Sequence, residues 1–112
     1  MKMITALVRP TRVEAIKTAL VNIEVIGMTV TDSRGFGRQK GQVERYRGTE
    51  FTVEFLPKAK IVVVVPDAKV DAAVAAIADA ARTGEIGDGK IFVTPVEQVV
   101  RIRTGDTGEG AL

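Results

Sequence analysis

The sequence predicts an α+β fold in which two consecutive βαβ units close into one sandwich, four antiparallel strands with two helices on one face. Three observations lead there. Short runs at Met3–Val8, Met28–Arg34, Ile61–Val65 and Lys90–Val96 have the length and residue types of strands. Apolar residues recur at helical spacing between the first and second run, and again between the third and fourth. The order strand–helix–strand, twice over, is that of a ferredoxin-like double βαβ sandwich. With 112 residues the chain has room for one such domain, spanning 1–112.

Met3–Val8 (MITALV) is apolar and short, and Pro10 punctuates it. Thr11-Arg-Val-Glu14 then reads as a capping box opening a helix. Val13, Ile16, Leu20 and Ile23 make one apolar stripe, and Gly27 ends the region. Met28–Arg34 (MTVTDSR) alternates like a half-buried strand. In the second half Ile61–Val65 (IVVVV) is β-branched throughout, and Pro66-Asp67 punctuates it and caps the next helix. Val70, Val74, Ile77 and Ala81 space out that alanine-rich helix. The turn-rich Thr83–Gly89 leads into the last strand, Lys90–Val96.

Two helices cover only one face of a four-stranded sheet, so its strands should alternate apolar with polar. IVVVV does not, and MITALV barely does. Continuous apolar strands mean burial on both faces, and other copies of the chain supply the missing cover most simply. A homo-oligomer with its sheets facing inward is therefore expected.

Composition narrows the function classes. At 46% hydrophobic and 27% charged residues the chain is of ordinary globular type. A formal charge of +2 does not argue for nucleic acid, and five scattered aromatics form no stacking platform. Neither a membrane-length apolar run nor a signal-peptide layout is present, so a cytoplasmic location is expected. Without histidine or cysteine the chain lacks the side chain that titrates near neutrality, the best thiol nucleophile and the usual zinc ligands. That lowers the case for an enzyme.

Three elements could meet an anion, each with a structural alternative. Gly35, Gly37 and Gly41 give G-x-G-x-x-x-G, which is neither a dinucleotide fingerprint nor a P-loop, and no capped helix follows. By itself this reads more as a flexible turn than as a phosphate site, although glycines beside Arg38 and Lys40 would let backbone N–H groups approach an anion. Gly87-Asp88-Gly89 is a tight turn with Lys90 at the mouth of a strand. Arg101 and Arg103, two apart in an extended segment, would share one face and suit phosphate oxygens, or simply line a solvated edge.

Two long blocks now carry a resemblance over essentially the whole chain. GMTVTDSRGFGRQKGQVERYRGTEFTVEFLPK and TGEIGDGKIFVTPVEQVVRIRTG resemble the PII signal-transduction proteins (nitrogen regulatory protein P-II), and ERYRG resembles the cyanobacterial branch. The resemblance implies a homotrimer whose clefts between subunits bind ATP or ADP. On this chain the nucleotide site it implies comprises Thr29, Gly35, Phe36, Gly37, Arg38, Gln39, Val64, Gly87, Asp88, Gly89, Lys90, Arg101 and Arg103. It further implies that 2-oxoglutarate joins a Mg2+–ATP complex, with Gln39 contributing to the metal and Lys58 pairing with a carboxylate, near Arg9, Lys40 and Gly41.

Segments take on roles by the same resemblance: a T-loop at about 37–55, a B-loop at about 82–90 and a C-terminal segment at about 97–112. The implied activity is a non-enzymatic population switch, with at most a slow side ATPase activity. Ligands at the T-loop base bias its conformation, and nitrogen-assimilation partners read the result. A discrimination of roughly tenfold per site corresponds to about 1.4 kcal/mol. Arg47 matches the loop arginine that relatives place in ammonium transporters, so contact with a membrane is expected only through such a partner. Arg45 and Glu50 match loop residues used toward N-acetylglutamate kinase.

Departures matter too. Phe51 stands where many relatives carry a nucleotidylylated tyrosine, and phenylalanine has no hydroxyl to modify. Tyr46 is the one tyrosine left, and Thr49 stands at a serine phosphorylated in cyanobacterial relatives. Val62 replaces a common glutamate and Thr11 a common phenylalanine. These changes motivate an alternative, a diverged nucleotide sensor serving another pathway without a 2-oxoglutarate response; the presence of both Gln39 and Lys58 counts against it.

Overall fold

The computed structural model describes residues 1–37 and 54–112. Strand β1 (Lys2–Val8) leads through a 3₁₀ turn, Pro10–Arg12, into helix α1 (Val13–Asn22) and strand β2 (Thr29–Gly35). Strand β3 (Leu56–Val65) is followed by a second 3₁₀ turn, Asp67–Lys69, then helix α2 (Val70–Ala81) and strand β4 (Lys90–Pro95). The four strands form one sheet in the order β2-β3-β1-β4, with every neighbouring pair antiparallel. This is the double βαβ sandwich expected from the sequence.

Residues opposite one another in an antiparallel pair share a face, so the register sorts every side chain. Ile4, Ala6 and Val8 of β1 stand opposite Val63, Ile61 and Ala59 of β3, and all are buried under the helices. Ile16 and Leu20 of α1 and Ala73, Ile77 and Ala81 of α2 complete the core. Each fully buried Ile or Leu contributes about 1.5–3 kcal/mol relative to exposure. Met3, Thr5 and Leu7 point the other way, with Val62 and Val64 of β3 and Phe92 and Lys90 of β4. No described helix covers that face: Val62 and Val64 are half-buried and Phe92 is 48% exposed. IVVVV is thus one core stripe interleaved with one apolar stripe on an open face.

Three local expectations need correction. Neither helix is capped by the predicted side chain: α1 begins at Val13 with Arg12 before it, α2 at Val70 with Lys69 before it, and neither residue makes a side-chain cap. Thr11 lies inside the first 3₁₀ turn, where proline at its start favours that tight winding. Asp67 opens the second turn and accepts a hydrogen bond from the Met1 ammonium at 2.8 Å. Helix α1 also stops well before Gly27. The Val25 N–H reaches the Leu20 carbonyl and the Glu24 N–H the Val21 carbonyl, a Schellman closure with Glu24 at φ 66°. Val25 and Leu20, both buried, supply the apolar contact that accompanies this motif.

The β2–β3 pair runs past the end of β1. Pro57 and Leu56 pair with Arg34 and Gly35, whereas β1 reaches only to Ala59. A two-stranded ribbon therefore projects from the sheet beside the start of β4. The rings of Phe36 and Phe55 meet edge-on at its tip, 5.3 Å apart at 81°.

Candidate functional site

Where β1 ends, β4 begins and the ribbon departs, the open face of the sheet forms a cleft of about 490 Å3. Leu7, Gly35, Phe36, Gly37, Lys58, Gly87, Gly89, Lys90 and Phe92 line it. The connection from α2 to β4, residues 82–89, makes one wall and is built by side-chain bonds, some within the loop and some from distant residues.

Asp88 sits at the centre of that connection. Its carboxylate accepts the Thr83 hydroxyl at 2.5 Å and the Thr83 and Gly84 backbone N–H groups, both at 2.8 Å. It also accepts Arg9 Nε at 3.1 Å. The Thr83 hydroxyl, the Thr83 amide, the Gly84 amide and Arg9, in that order, hold this carboxyl far below the usual carboxylate range, against an opposing desolvation. Asp88, one of the expected nucleotide contacts, therefore acts here as the organiser of its own loop. Arg9 is bound to the same structure, since its Nη2 donates to the Ile86 carbonyl at 2.8 Å. Lys58 Nζ donates to the Gly87 carbonyl at 2.9 Å.

The glycines of this wall have distinct reasons. Gly84, Gly87 and Gly89 adopt φ of 90°, 105° and 103°, a region side chains rarely enter. At Gly89 a Cβ would also overlap the Leu7 carbonyl oxygen, so the loop presses its backbone on β1 at that point. At Gly87 a Cβ would come within 3.2 Å of Arg9 Nη2. The resulting wall is bare backbone flanked by two cations. The exposed Lys90 ammonium takes no ion-pair or hydrogen-bond partner among the described residues. Such a wall suits a ligand rich in anionic oxygens.

The expected site residues divide into separate groups. Gly35, Phe36, Gly37, Lys58, Gly87, Gly89 and Lys90 line the one cleft, with Arg9 and Asp88 behind them. Val64 lines a different cavity, of about 400 Å3, with Glu24, Val25, Ile26, Gly27, Val65, Pro66, Lys69 and Leu112. Val64 lies six residue steps of extended chain from Lys58, about 20 Å along β3. Thr29 lies beside Val62, between the two.

Arg101 belongs with the far group, for its Nη2 donates to the Leu112 carbonyl at 3.0 Å. The extended-segment reading of Arg101 and Arg103 is not met. Residues 102–104 form a turn, closed by the Val100–Thr107 bridge and by Gly105 N–H to the Arg101 carbonyl at 2.7 Å. Glycines at 105 and 108, with φ of 77° and 69°, permit that reversal. It leaves Ile102 98% exposed between the two arginines.

Arg38, Gln39, Lys40, Gly41, Arg45, Tyr46, Arg47, Thr49, Glu50 and Phe51 lie outside the described residues. Among the described residues no group of three or more His, Cys, Asp or Glu gathers as a metal site. The described cleft thus fits the anionic part of a Mg2+–nucleotide, while Gln39, the implied metal ligand, is not among its described residues. No described helix is long and apolar enough to cross a membrane. Sequence reasoning missed Thr83, which shapes the loop, and Leu7 and Phe92, which line the cleft. A Thr five residues ahead of Asp88 was the available signal for the first; only the strand register could reveal the others.

Matches to known proteins span the chain. A family profile described as Nitrogen regulatory protein P-II matches residues 1–106. The protein called Nitrogen regulatory protein P-II in Microchaete diplosiphon is 61% identical over 112 residues, covering all of both chains. Its namesake in Synechocystis sp. (strain ATCC 27184 / PCC 6803 / Kazusa) is 58% identical and that in Azospirillum brasilense 56% identical, each again over the full length of both chains.

Proposed function

This chain belongs to the nitrogen regulatory protein P-II family, and from that premise we propose that it senses ATP or ADP together with 2-oxoglutarate. The observation that carries the proposal is the cleft itself, with glycine backbone from Gly35, Gly37, Gly87 and Gly89 and cations from Lys58 and Lys90. Backbone N–H groups in a glycine-rich turn approach phosphate oxygens closely, and the lysines complement their charge. The protein acts as a signal transducer in nitrogen regulation, not as an enzyme.

The split of the expected site supports a homotrimer. One chain leaves Val64 and Arg101 remote from Lys58 and Lys90, and leaves the apolar stripe of Met3, Val62, Val64 and Phe92 uncovered. Packing copies with their sheets inward covers that stripe and lets a neighbour's far-end residues meet this chain's cleft. The nucleotide is then held between two protomers. Glycine amides and Lys90 take its phosphates, and Arg101 and Arg103 serve from the far-end group.

Lys58, at the base of the ribbon, is the cation for a 2-oxoglutarate carboxylate, with Arg9 behind the cleft wall. Gln39, Lys40 and Gly41 complete this subsite in the proposal, and Mg2+ bound by Gln39 and ligand oxygens would supply charge neutralisation. The segment 37–55 transmits occupancy to nitrogen-metabolism partners in the cytoplasm. Ammonium transporters (through Arg47) and N-acetylglutamate kinase (through Arg45 and Glu50) are the proposed partner classes, and Thr49 is a candidate phosphosite.

Calorimetric titration with ATP, then with 2-oxoglutarate in the presence and absence of Mg2+, tests the proposal. The expected result is 2-oxoglutarate binding that requires both ATP and Mg2+. Nucleotide binding with no 2-oxoglutarate heat would instead favour a nucleotide sensor for another pathway. A monomeric mass in solution would sink the trimer.

A further inference from the structure

Two cations reach the carbonyls of the 82–89 connection, and they are tied in different ways. Arg9 is held twice, by the charged carboxylate of Asp88 and by the Ile86 carbonyl. Among the described residues Lys58 is held once, by the neutral carbonyl of Gly87 at 2.9 Å, and it lines the open cleft. An ammonium that meets a carboxylate gains ion-pair attraction that a neutral carbonyl does not offer. A carboxylate entering the cleft therefore competes well for Lys58 and poorly for Arg9.

The acceptor that Lys58 would release is also unusual. Gly87 is at φ 105° without a Cβ, so its peptide groups can reorient at little steric cost. Losing the Lys58 bond frees the carbonyl of the residue that lies between Ile86, fixed to Arg9, and Asp88, fixed to Thr83 and Gly84. Movement is thereby confined to the wall facing the cleft, while the rest of the loop stays anchored.

We propose that Lys58 is a positioning residue for the 82–89 connection as well as a ligand cation, and that an incoming carboxylate displaces the Gly87 carbonyl from it. One side chain then links carboxylate binding to the shape of the wall that faces the nucleotide phosphates. The anchoring half concerns the ligand-free protein alone. The displacement half rests on the 2-oxoglutarate reading given above.

The test uses the full-length protein. The 13C′ resonance of Gly87, read through the Asp88 amide, reports whether that carbonyl accepts a hydrogen bond. Amide exchange over residues 83–89 reports how firmly the loop is held. Without ligand, Lys58→Met is expected to shift the Gly87 carbonyl resonance and to speed loop exchange roughly threefold to tenfold, the range for losing one ordinary hydrogen bond at a half-exposed site. Lys58→Arg, which keeps a donor, is expected to stay near wild type. Unchanged exchange over 2–8 and 61–65 verifies the fold, and Lys58→Gln serves if Lys58→Met does not fold.

Loop exchange and a Gly87 resonance identical in wild type and Lys58→Met would overturn the anchoring. For displacement, 2-oxoglutarate added to wild-type protein with Mg2+–ATP is expected to move the Gly87 resonance in the direction seen for Lys58→Met. Calorimetrically verified binding that leaves it in place would overturn displacement. No binding at all would overturn the 2-oxoglutarate reading and displacement together, with anchoring still decided by the ligand-free comparison.

Discussion

The two helix-to-strand connections hold equivalent places in the two βαβ halves and are built in opposite ways. Residues 23–28, after α1, are closed by their own backbone: the amides of Ile23, Glu24 and Val25 return to Leu20 and Val21 carbonyls. Residues 82–89, after α2, are closed by side chains: the Asp88 carboxylate, Arg9 from the end of β1 and Lys58 from β3. Each connection also carries one lysine on a carbonyl. In the first, Lys69 Nζ meets the Ile23 carbonyl at 2.8 Å, at the end of a helix already capped. In the second, Lys58 meets Gly87 in a loop with few other outside anchors. A turn closed by backbone is indifferent to what binds beside it. One closed by exposed charges can be reset by a ligand that offers better partners.

The largest expected effect falls on the second connection, at Gly89. An alanine there must adopt φ near 103° and would overlap the Leu7 carbonyl, a backbone atom that can yield only by parting β1 from β4. Gly89→Ala is expected to cost about 3 kcal/mol or more, combining backbone strain with a disrupted strand pair. Chemical denaturation at fixed protomer concentration measures it. Gly27→Ala in the first connection, where a Cβ meets nothing within 4 Å, is expected to be near neutral. Equal costs at the two glycines would erase the contrast.

Asp88 comes next. Removing its carboxylate in Asp88→Ala strips the partner from the Thr83 and Gly84 amides, the Thr83 hydroxyl and Arg9 at once. Exchange at the Thr83 and Gly84 amides is expected to accelerate roughly tenfold or more, with Asp88→Asn in between because it keeps an acceptor without the charge. Exchange over 23–28 should not change. Acid probes the same bonds. The Asp88 carboxyl is held below its ordinary range by Thr83 first, so its contribution is fully present above the unfolded carboxylate value of about 4. It is lost as pH falls through the lower folded value. Loop exchange, corrected for intrinsic rate, should therefore stay flat from pH 7 to about 5 and rise only in stronger acid. A rise already near pH 6 would contradict the hydrogen bonds to Asp88.

These two connections also show what was legible in the sequence. Patterns confined to one element were readable: the four strands, the α2 stripe of Val70, Val74 and Ile77, and the glycine turn before Lys90. Chemistry that depends on distant partners was not. Asp88 enters the nucleotide site by resemblance, and nothing local reveals that its carboxylate also meets Arg9, 79 residues away. The cleft's Leu7 and Phe92 enter through strand register, which pairs residues far apart in the chain. Local signals also misled where competing geometry won. Thr11 offered a capping box, but Pro10 drew it into a 3₁₀ turn. Arg101 and Arg103 looked extended, but Gly105 and Gly108 closed a turn around them.

The smallest expected effect has the opposite sign and belongs to the first connection. Gly27 advertised the end of α1, yet the left-handed position that closes the helix is occupied by Glu24, at φ 66°. A side chain in that conformation is strained, and glycine is the residue most often found there. Because Schellman closure uses only backbone bonds and the contact between Val25 and Leu20, replacing the Glu24 side chain disturbs neither. Glu24→Gly is therefore expected to stabilise the protein by about 0.5–1 kcal/mol, the relief of strain outweighing the greater freedom of glycine in the unfolded chain. The gain should appear as a thermal midpoint a few degrees higher at the same protomer concentration. A loss of stability would mean that the Glu24 side chain supports the turn in some way its backbone does not. The first connection would then be less self-contained than its hydrogen bonds indicate, and closer in kind to the second.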